Sequence, residues 1–160
     1  MFKLLCVLVP VFLLTITCPV FAGAERPLSI TLAGATVADA PRSISVARLE
    51  EMPRIEKLIF DPYLKKVIRY GGVPLKEFVA RFARPETSRV RISAIDEYVV
   101  SFTREDLQAG AYLLATRMDG ALMTRGMGGP VKIVLQTEDP DNSFVQKWIW
   151  MINRIEFLTD

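Results

Sequence analysis

Several short stretches of this chain bring together side chains that can do chemistry. Asp96, Glu97 and Tyr98 are consecutive, and paired carboxylates can serve as acid and base. Neighbours on a strand point to opposite faces, so these two acids do not converge. A solvated turn with a core tyrosine is the equal alternative. Gly126-Met127-Gly128-Gly129-Pro130 has the glycine density of a phosphate loop. It lacks the Lys-Ser/Thr ending and feeds a strand, where a phosphate site needs a helix N-terminus. It reads as a tight turn whose backbone can approach a ligand closely. Lys147 precedes Trp148 and Trp150, two tryptophans that share a face in an extended chain and serve either as core or as a ligand wall. Arg117 and Arg125 bracket Asp119-Gly120. A planar guanidinium beside an aromatic ring is one way to hold a flat heteroaromatic bearing carbonyls.

Missing residue types narrow the chemistry further. The 160 residues include no histidine, and the two cysteines, Cys6 and Cys18, lie close to the N-terminus. Met1-Phe2-Lys3 followed by an apolar run over 4–16 and the small-residue endings Val20-Phe21-Ala22 and Ala22-Gly23-Ala24 has the layout of a secretory signal over 1–22, cleaved after 22 or 24. The run is short for a bilayer span of roughly 20 residues. The expected product is a single exported, periplasmic domain over 25–160, with no membrane insertion after cleavage. It has no disulfide, no thiolate nucleophile and no sulfur ligand for a metal. The commonest general base near neutral pH is absent as well. With 20 basic against 18 acidic residues, and Lys3 in the removed segment, the mature charge is about +1, which argues against nucleic acid or an anionic membrane as partner.

Around these groups the pattern predicts a strand-rich α+β domain with short helices. Leu28, Ile30 and Leu32 alternate with polar residues as on a half-buried strand. Ser45 caps a short helix that turns Val46, Leu49 and Met52 inward and Glu50 and Glu51 outward, ended by Pro53. Strands are expected over 55–60 and 65–70 about an Asp61-Pro62-Tyr63 turn, with Gly71-Gly72 as punctuation. Leu75, Phe78, Val79 and Phe82 fall at i, i+3, i+4 and i+7 of a helix opened by Pro74 and stopped by Pro85. Strands follow over 89–94 and 98–102, then a helical turn capped by Thr103 and closed by Gly110. Asp119-Gly120 joins strands over 111–116 and 121–124 in a hairpin. Further strands are expected over 130–135 and 154–158, separated by a polar stretch over 136–143 and then Phe144-Val145-Gln146-Lys147-Trp148.

The order of the short motifs carries a resemblance. Tyr70-Gly71-Gly72-Val73-Pro74-Leu75 leads the amphipathic helix. It is followed by Ala94-Ile95-Asp96-Glu97-Tyr98-Val99-Val100-Ser101, Leu113-Leu114-Ala115, Asp119-Gly120, Gly128-Gly129-Pro130-Val131 and Lys147-Trp148. This series resembles the molybdopterin-binding domain of the sulfite oxidase family over nearly the whole mature chain. The enzymes of that family ligate molybdenum through a cysteine between the first helix and the glycine-proline-leucine element. Here that interval holds Ile59-Phe60-Asp61-Pro62-Tyr63. The combination is most similar to metal-free periplasmic pterin-binding regulators of the PruR type.

What the resemblance implies is a compact sulfite-oxidase-like domain that is not an enzyme. It would bind a reduced pterin of the tetrahydropterin type and relay occupancy to the periplasmic domain of a membrane-bound cyclic-di-GMP enzyme, and so to biofilm control. Tyr98 and Ser101 fall where the family's active-site tyrosine and following serine lie, and Lys147-Trp148 matches its lysine-tryptophan pair beside the cofactor. Asp96 is expected to meet the pterin's amino and ring N–H groups, and Arg125 its carbonyl edge or a side-chain hydroxyl. The alternative is a small molybdenum-dependent oxidoreductase or its auxiliary subunit. A third reading is an interaction module that keeps the fold and has lost all ligands.

Overall fold

A computed structural model describes residues 29–136 and 146–159. The expected secretory segment, Cys6 and Cys18, and residues 137–145 with the beginning of the stretch at Phe144, lie outside the described residues. Two five-stranded sheets share one hydrophobic core. The first orders its strands β2 (Ser43–Ser45), β1 (Ser29–Gly34), β10 (Ile152–Leu158), β5 (Arg89–Ala94) and β6 (Val99–Thr103). Within it β1 and β10 run parallel, with Leu32 opposite Ile155, so the first and last described strands are neighbours. The second sheet orders β3 (Ile55–Asp61), β4 (Lys66–Pro74), β7 (Tyr112–Met118) and β8 (Ala121–Leu122), and β9 (Lys132–Leu135) pairs with β7. Among the described residues three short α-helices, α1 (Val46–Glu50), α2 (Leu75–Phe82) and α3 (Arg104–Ala109), accompany the sheets of this α+β domain.

Local chemistry explains most boundaries. The Ser45 hydroxyl accepts from the Arg48 N–H at the start of α1, and Thr103 and Asp106 form a reciprocal capping box at the start of α3. Gly110 ends α3 with φ +70°. Asp119 and Gly120, at φ +49° and +83°, make the tight connection between β7 and β8. Leu75, Phe78 and Phe82 of α2 are buried as their spacing requires.

Two expectations need correction. Gly71-Gly72 does not punctuate. β4 runs through both to Pro74, with a bulge between them against β7. A Cβ on Gly72 would stand 2.2 Å from the Leu114 carbonyl oxygen and 2.6 Å from Ala115 Cα, so this glycine permits close backbone approach. Glu50 is not on a solvated face either. Its carboxylate accepts from the Thr116 hydroxyl and from Arg117 Nε at 2.7 Å, fastening α1 to β7. Glu51 does stay outside, paired with Arg48.

Replacing Gly72 with alanine should cost about 2–3 kcal/mol of stability, because backbone atoms cannot yield the space. Gly126→Ala, whose nearest new neighbour is 3.9 Å away, should leave stability nearly unchanged. Urea denaturation of the two variants checks this pair of outcomes.

Candidate functional site

The chemistry of this domain concentrates where Lys132 of β9 reaches past β7 to Tyr70 of β4 and the end of β3. Asp61 closes β3 and is fully buried, Tyr70 lies in β4, and Lys132 opens β9 at 2% exposure. Opposite Lys132 in register stands Ala115 of β7, and opposite Ala115 stands Gly72 of β4. This row of one long and two minimal side chains gives the lysine room inside the core. Its ammonium donates to Asp61 Oδ2 at 3.0 Å and to the Tyr70 hydroxyl at 2.8 Å, and that hydroxyl donates to the same Oδ2 at 2.5 Å. Asp61 Oδ1 accepts from the backbone N–H groups of Tyr63 and Leu64, both at 2.9 Å, and so shapes the β3–β4 turn. Four donors therefore occupy the carboxylate, which has about four acceptor positions in all.

Aromatic rings also stand close to the ammonium. Lys132 Nζ lies 4.8 Å from the ring centre of Tyr70, 5.1 Å from that of Trp148 and 5.7 Å from that of Trp150. Cation–π attraction is strongest where, as here, water is excluded. Tyr63 stands edge-on to Trp150 at 4.5 Å and reaches Trp148 at 6.1 Å.

Above this base opens a cavity of about 430 Å³. Its walls are Tyr63, Leu64, Trp150 and the methionines 118, 127 and 151. Gly126 and Gly128 form one edge, and Asp61, Lys66 and Lys132 supply the polar atoms. Its size falls within the roughly 300–1,000 Å³ of small-molecule sites. The glycine edge is a 3₁₀ turn, Arg125–Met127, stopped by Gly128 at φ +80°. A Cβ on Gly128 would sit 2.9 Å from Trp150 Cδ1, and the Gly128 carbonyl accepts from the Met151 N–H at 3.0 Å. Met151 itself holds φ +51°, an uncommon state for a long side chain, beside the ring it helps to place.

Burial alone would raise the Asp61 carboxyl. Hydrogen bonds from Tyr70, the Leu64 backbone and Lys132, with the lysine's charge, outweigh it and hold the group below the usual carboxylate range. Burial, then the bond to Asp61 and its charge, push the Tyr70 hydroxyl far up. Burial also raises Tyr63, helped by nearby Tyr98 and Asp61.

The structure distributes the six residues expected at the site unevenly. Trp148 is buried behind the cavity, against Lys132 and Tyr63. Tyr98 is 46% exposed and close enough to raise the Tyr63 pKa, and its hydroxyl donates to the Gln146 carbonyl at 2.7 Å. Arg125 begins the 3₁₀ turn and is exposed. The Asp96 carboxylate accepts from the Tyr98 N–H at 3.2 Å, fixing its own turn. Lys147 is engaged elsewhere: its ammonium pairs with Asp106 of α3 above the rings of Phe102 and Tyr112. Ser101 lies exposed on β6, the edge strand, opposite Arg91. Sequence reasoning passed over Asp61, Tyr70 and Lys132 as a unit. The available signal was a lysine in the otherwise apolar run Val131 to Leu135, inside a strand buried on both faces.

With this geometry in place, comparison with known proteins identifies the class. The family model for the oxidoreductase molybdopterin-binding domain matches residues 45–160, and the chain belongs to that family. Among solved structures it is similar to the sulfane dehydrogenase SoxCD from Paracoccus pantotrophus, with a TM-score of 0.64 and 15% identity over 82% of this chain. The likeness spans 38% of that enzyme's chain. No curated protein matches in sequence. The sulfite-oxidase-like fold read from the motif order is therefore the observed one.

The family's cofactor joins a pterin to molybdenum, and the two parts fit this site differently. The described residues contain no cysteine or histidine and no group of three potential metal ligands among His, Cys, Asp and Glu. Asp61, the one carboxylate lining the cavity, has its acceptor positions filled. This donor set does not suit a metal. The largely apolar, aromatic-walled space does suit a heteroaromatic ring.

Lys132→Met should cost about 3–5 kcal/mol, because it strands a buried carboxylate. Combining it with Asp61→Leu should cost less than the sum of the two single changes, as measured by chemical denaturation. Stability should also fall at both pH extremes. Asp61 is held low, so its contribution is full above the ordinary value of 3.8 and lost as acid protonates it. Tyr70 is held high and Tyr112 is pushed up to about 12, so stability declines above pH 10, where unfolded tyrosines ionise first. Thermal melts across pH read both limbs.

Proposed function

We propose that this chain binds a reduced pterin in the cavity between the β3–β4 turn and the glycine turn, and ligates no metal through its own side chains. One observation carries the reading: the cavity is walled by Trp150, Tyr63 and three methionines over a buried Lys132–Asp61–Tyr70 base whose carboxylate is saturated. Indole and phenol faces stack on a fused two-ring heterocycle, thioethers adapt to its outline, and the glycines let the backbone approach its edge. The chain's own groups bind and orient the ring and exclude water.

Two roles follow from such binding. Membership of an oxidoreductase domain family and the likeness to sulfane dehydrogenase support an auxiliary or cofactor-holding subunit of a molybdenum-dependent oxidoreductase. The PruR-type resemblance implies instead a periplasmic relay to a membrane-bound cyclic-di-GMP enzyme. The family match and the structural likeness lend that finer role no weight. The secretory layout of residues 1–24 supports export for either role.

Titrating the purified domain with a tetrahydropterin under reducing conditions should quench tryptophan fluorescence with one-to-one stoichiometry. Trp150→Ala should weaken binding at least ten-fold while the far-ultraviolet circular dichroism is kept. Absence of any saturable pterin binding would overturn the proposal. Elemental analysis separates the roles: stoichiometric molybdenum in protein from its native compartment favours the oxidoreductase subunit, and metal-free protein carrying a pterin favours the relay.

A further inference from the structure

Between α2 and α3 lies a slot of about 270 Å³ that shares no lining residue with the cavity described above. Val79, Ala80 and Leu107 line it with hydrocarbon, and Lys76, Arg84 and Arg104 bring three positive charges to it. Its lining holds no carboxylate. Lys76 has no hydrogen-bond or ion-pair partner among the described residues. Arg84 meets Glu86 at 3.3 Å, but both side chains are about half exposed, and water weakens such a pair. Arg104 donates from Nη2 to the carbonyls of Pro85 at 3.2 Å and Thr87 at 3.0 Å. Those two bonds hold the guanidinium in place without cancelling its charge. Thr87, also in the lining, is 8% exposed, and its buried hydroxyl has no hydrogen-bond partner among the described residues. A buried hydroxyl in that state is destabilising, and an acceptor brought by a ligand relieves it.

From these observations we infer that the slot binds a small organic acid, a carboxylate on a short hydrocarbon body. The carboxylate sits between Arg84 and Arg104 and accepts from the Thr87 hydroxyl. The body lies along Val79, Ala80 and Leu107, and Lys76 adds attraction near the start of α2. A larger cavity of about 660 Å³ shares Arg84 and Arg104, but Glu86 and Glu105 line it as well, so an anion is directed to the slot. This site is separate from the pterin reading and does not depend on it.

The test titrates the nitrogen-15-labelled full chain, without its secretory segment, with hexanoate and follows it by nuclear magnetic resonance. The backbone amides of 76–84 and 104–108 should shift together and saturably. Hexanamide, which has the same shape without the charge, should bind about ten-fold more weakly. Raising the salt should weaken hexanoate binding. Arg84→Gln and Lys76→Met should each weaken it about three-fold, the scale of one partly solvated charge contact. Thr87→Val should weaken it too, yet leave the ligand-free melting temperature unchanged or higher, because it removes an unmatched buried hydroxyl. Lys57→Met, on β3 and outside the slot, should bind hexanoate as the wild type does. No saturable shift at α2 and α3, equal affinity for hexanoate and hexanamide, or undiminished binding by Arg84→Gln or Thr87→Val overturns the inference and leaves pterin binding untouched.

Discussion

A lysine and an aspartate paired inside the core constrain everything else about this domain. Removing two such charges from water costs several kcal/mol per ion, and only good geometry and further hydrogen bonds repay it. Here the repayment comes from Tyr70, two backbone N–H groups and the rings of Trp148 and Trp150 near the ammonium. These partners come from three stretches of chain, namely the β3–β4 turn, β4 and the segment before β10. The pair thereby ties the β3–β4 turn, the start of β9 and the segment before β10 into one position. The cavity lies directly over this knot, so its floor and two of its walls are set by the same interaction.

The arrangement also accounts for the difference between this site and a metal centre. A carboxylate could replace a missing thiolate as a ligand only if it had an acceptor position to give. Asp61 has none left, because its four hydrogen bonds organise the turn and neutralise the lysine. What the cavity offers a ligand is its size and its aromatic and thioether surface. Membership of the molybdopterin-binding family is therefore compatible with a domain that holds the organic half of the family's cofactor and contributes no metal ligand of its own.

Much of the fold was legible in the sequence because it is written in local patterns. The spacing of Leu75, Phe78 and Phe82 marks α2, Asp119-Gly120 marks the β7–β8 connection, and Thr103 with Asp106 marks the start of α3. Gly71-Gly72 misled because a glycine pair commonly ends a strand. Here the tight spacing of β4 and β7 demands a glycine in mid-strand at Gly72. The site was less legible. Lysine on a strand ordinarily faces water, and Asp61 before a proline reads as a turn residue, so neither announces a buried pair 71 positions apart. Trp148 was recognisable near the site by its motif, but its burial behind the wall, with Trp150 in front, is decided by tertiary packing.

The most direct measurement of the central claim uses the methionine methyl groups as reporters, labelled with carbon-13 and followed by nuclear magnetic resonance during addition of tetrahydropterin. Met118, Met127 and Met151 line the cavity, whereas Met52 packs in the core beside α1. Binding of a pterin in the cavity requires the three cavity methyls to shift together and saturably under the ring current, with Met52 unmoved. Shifts confined to other methionines, or none at saturating ligand, would contradict the account.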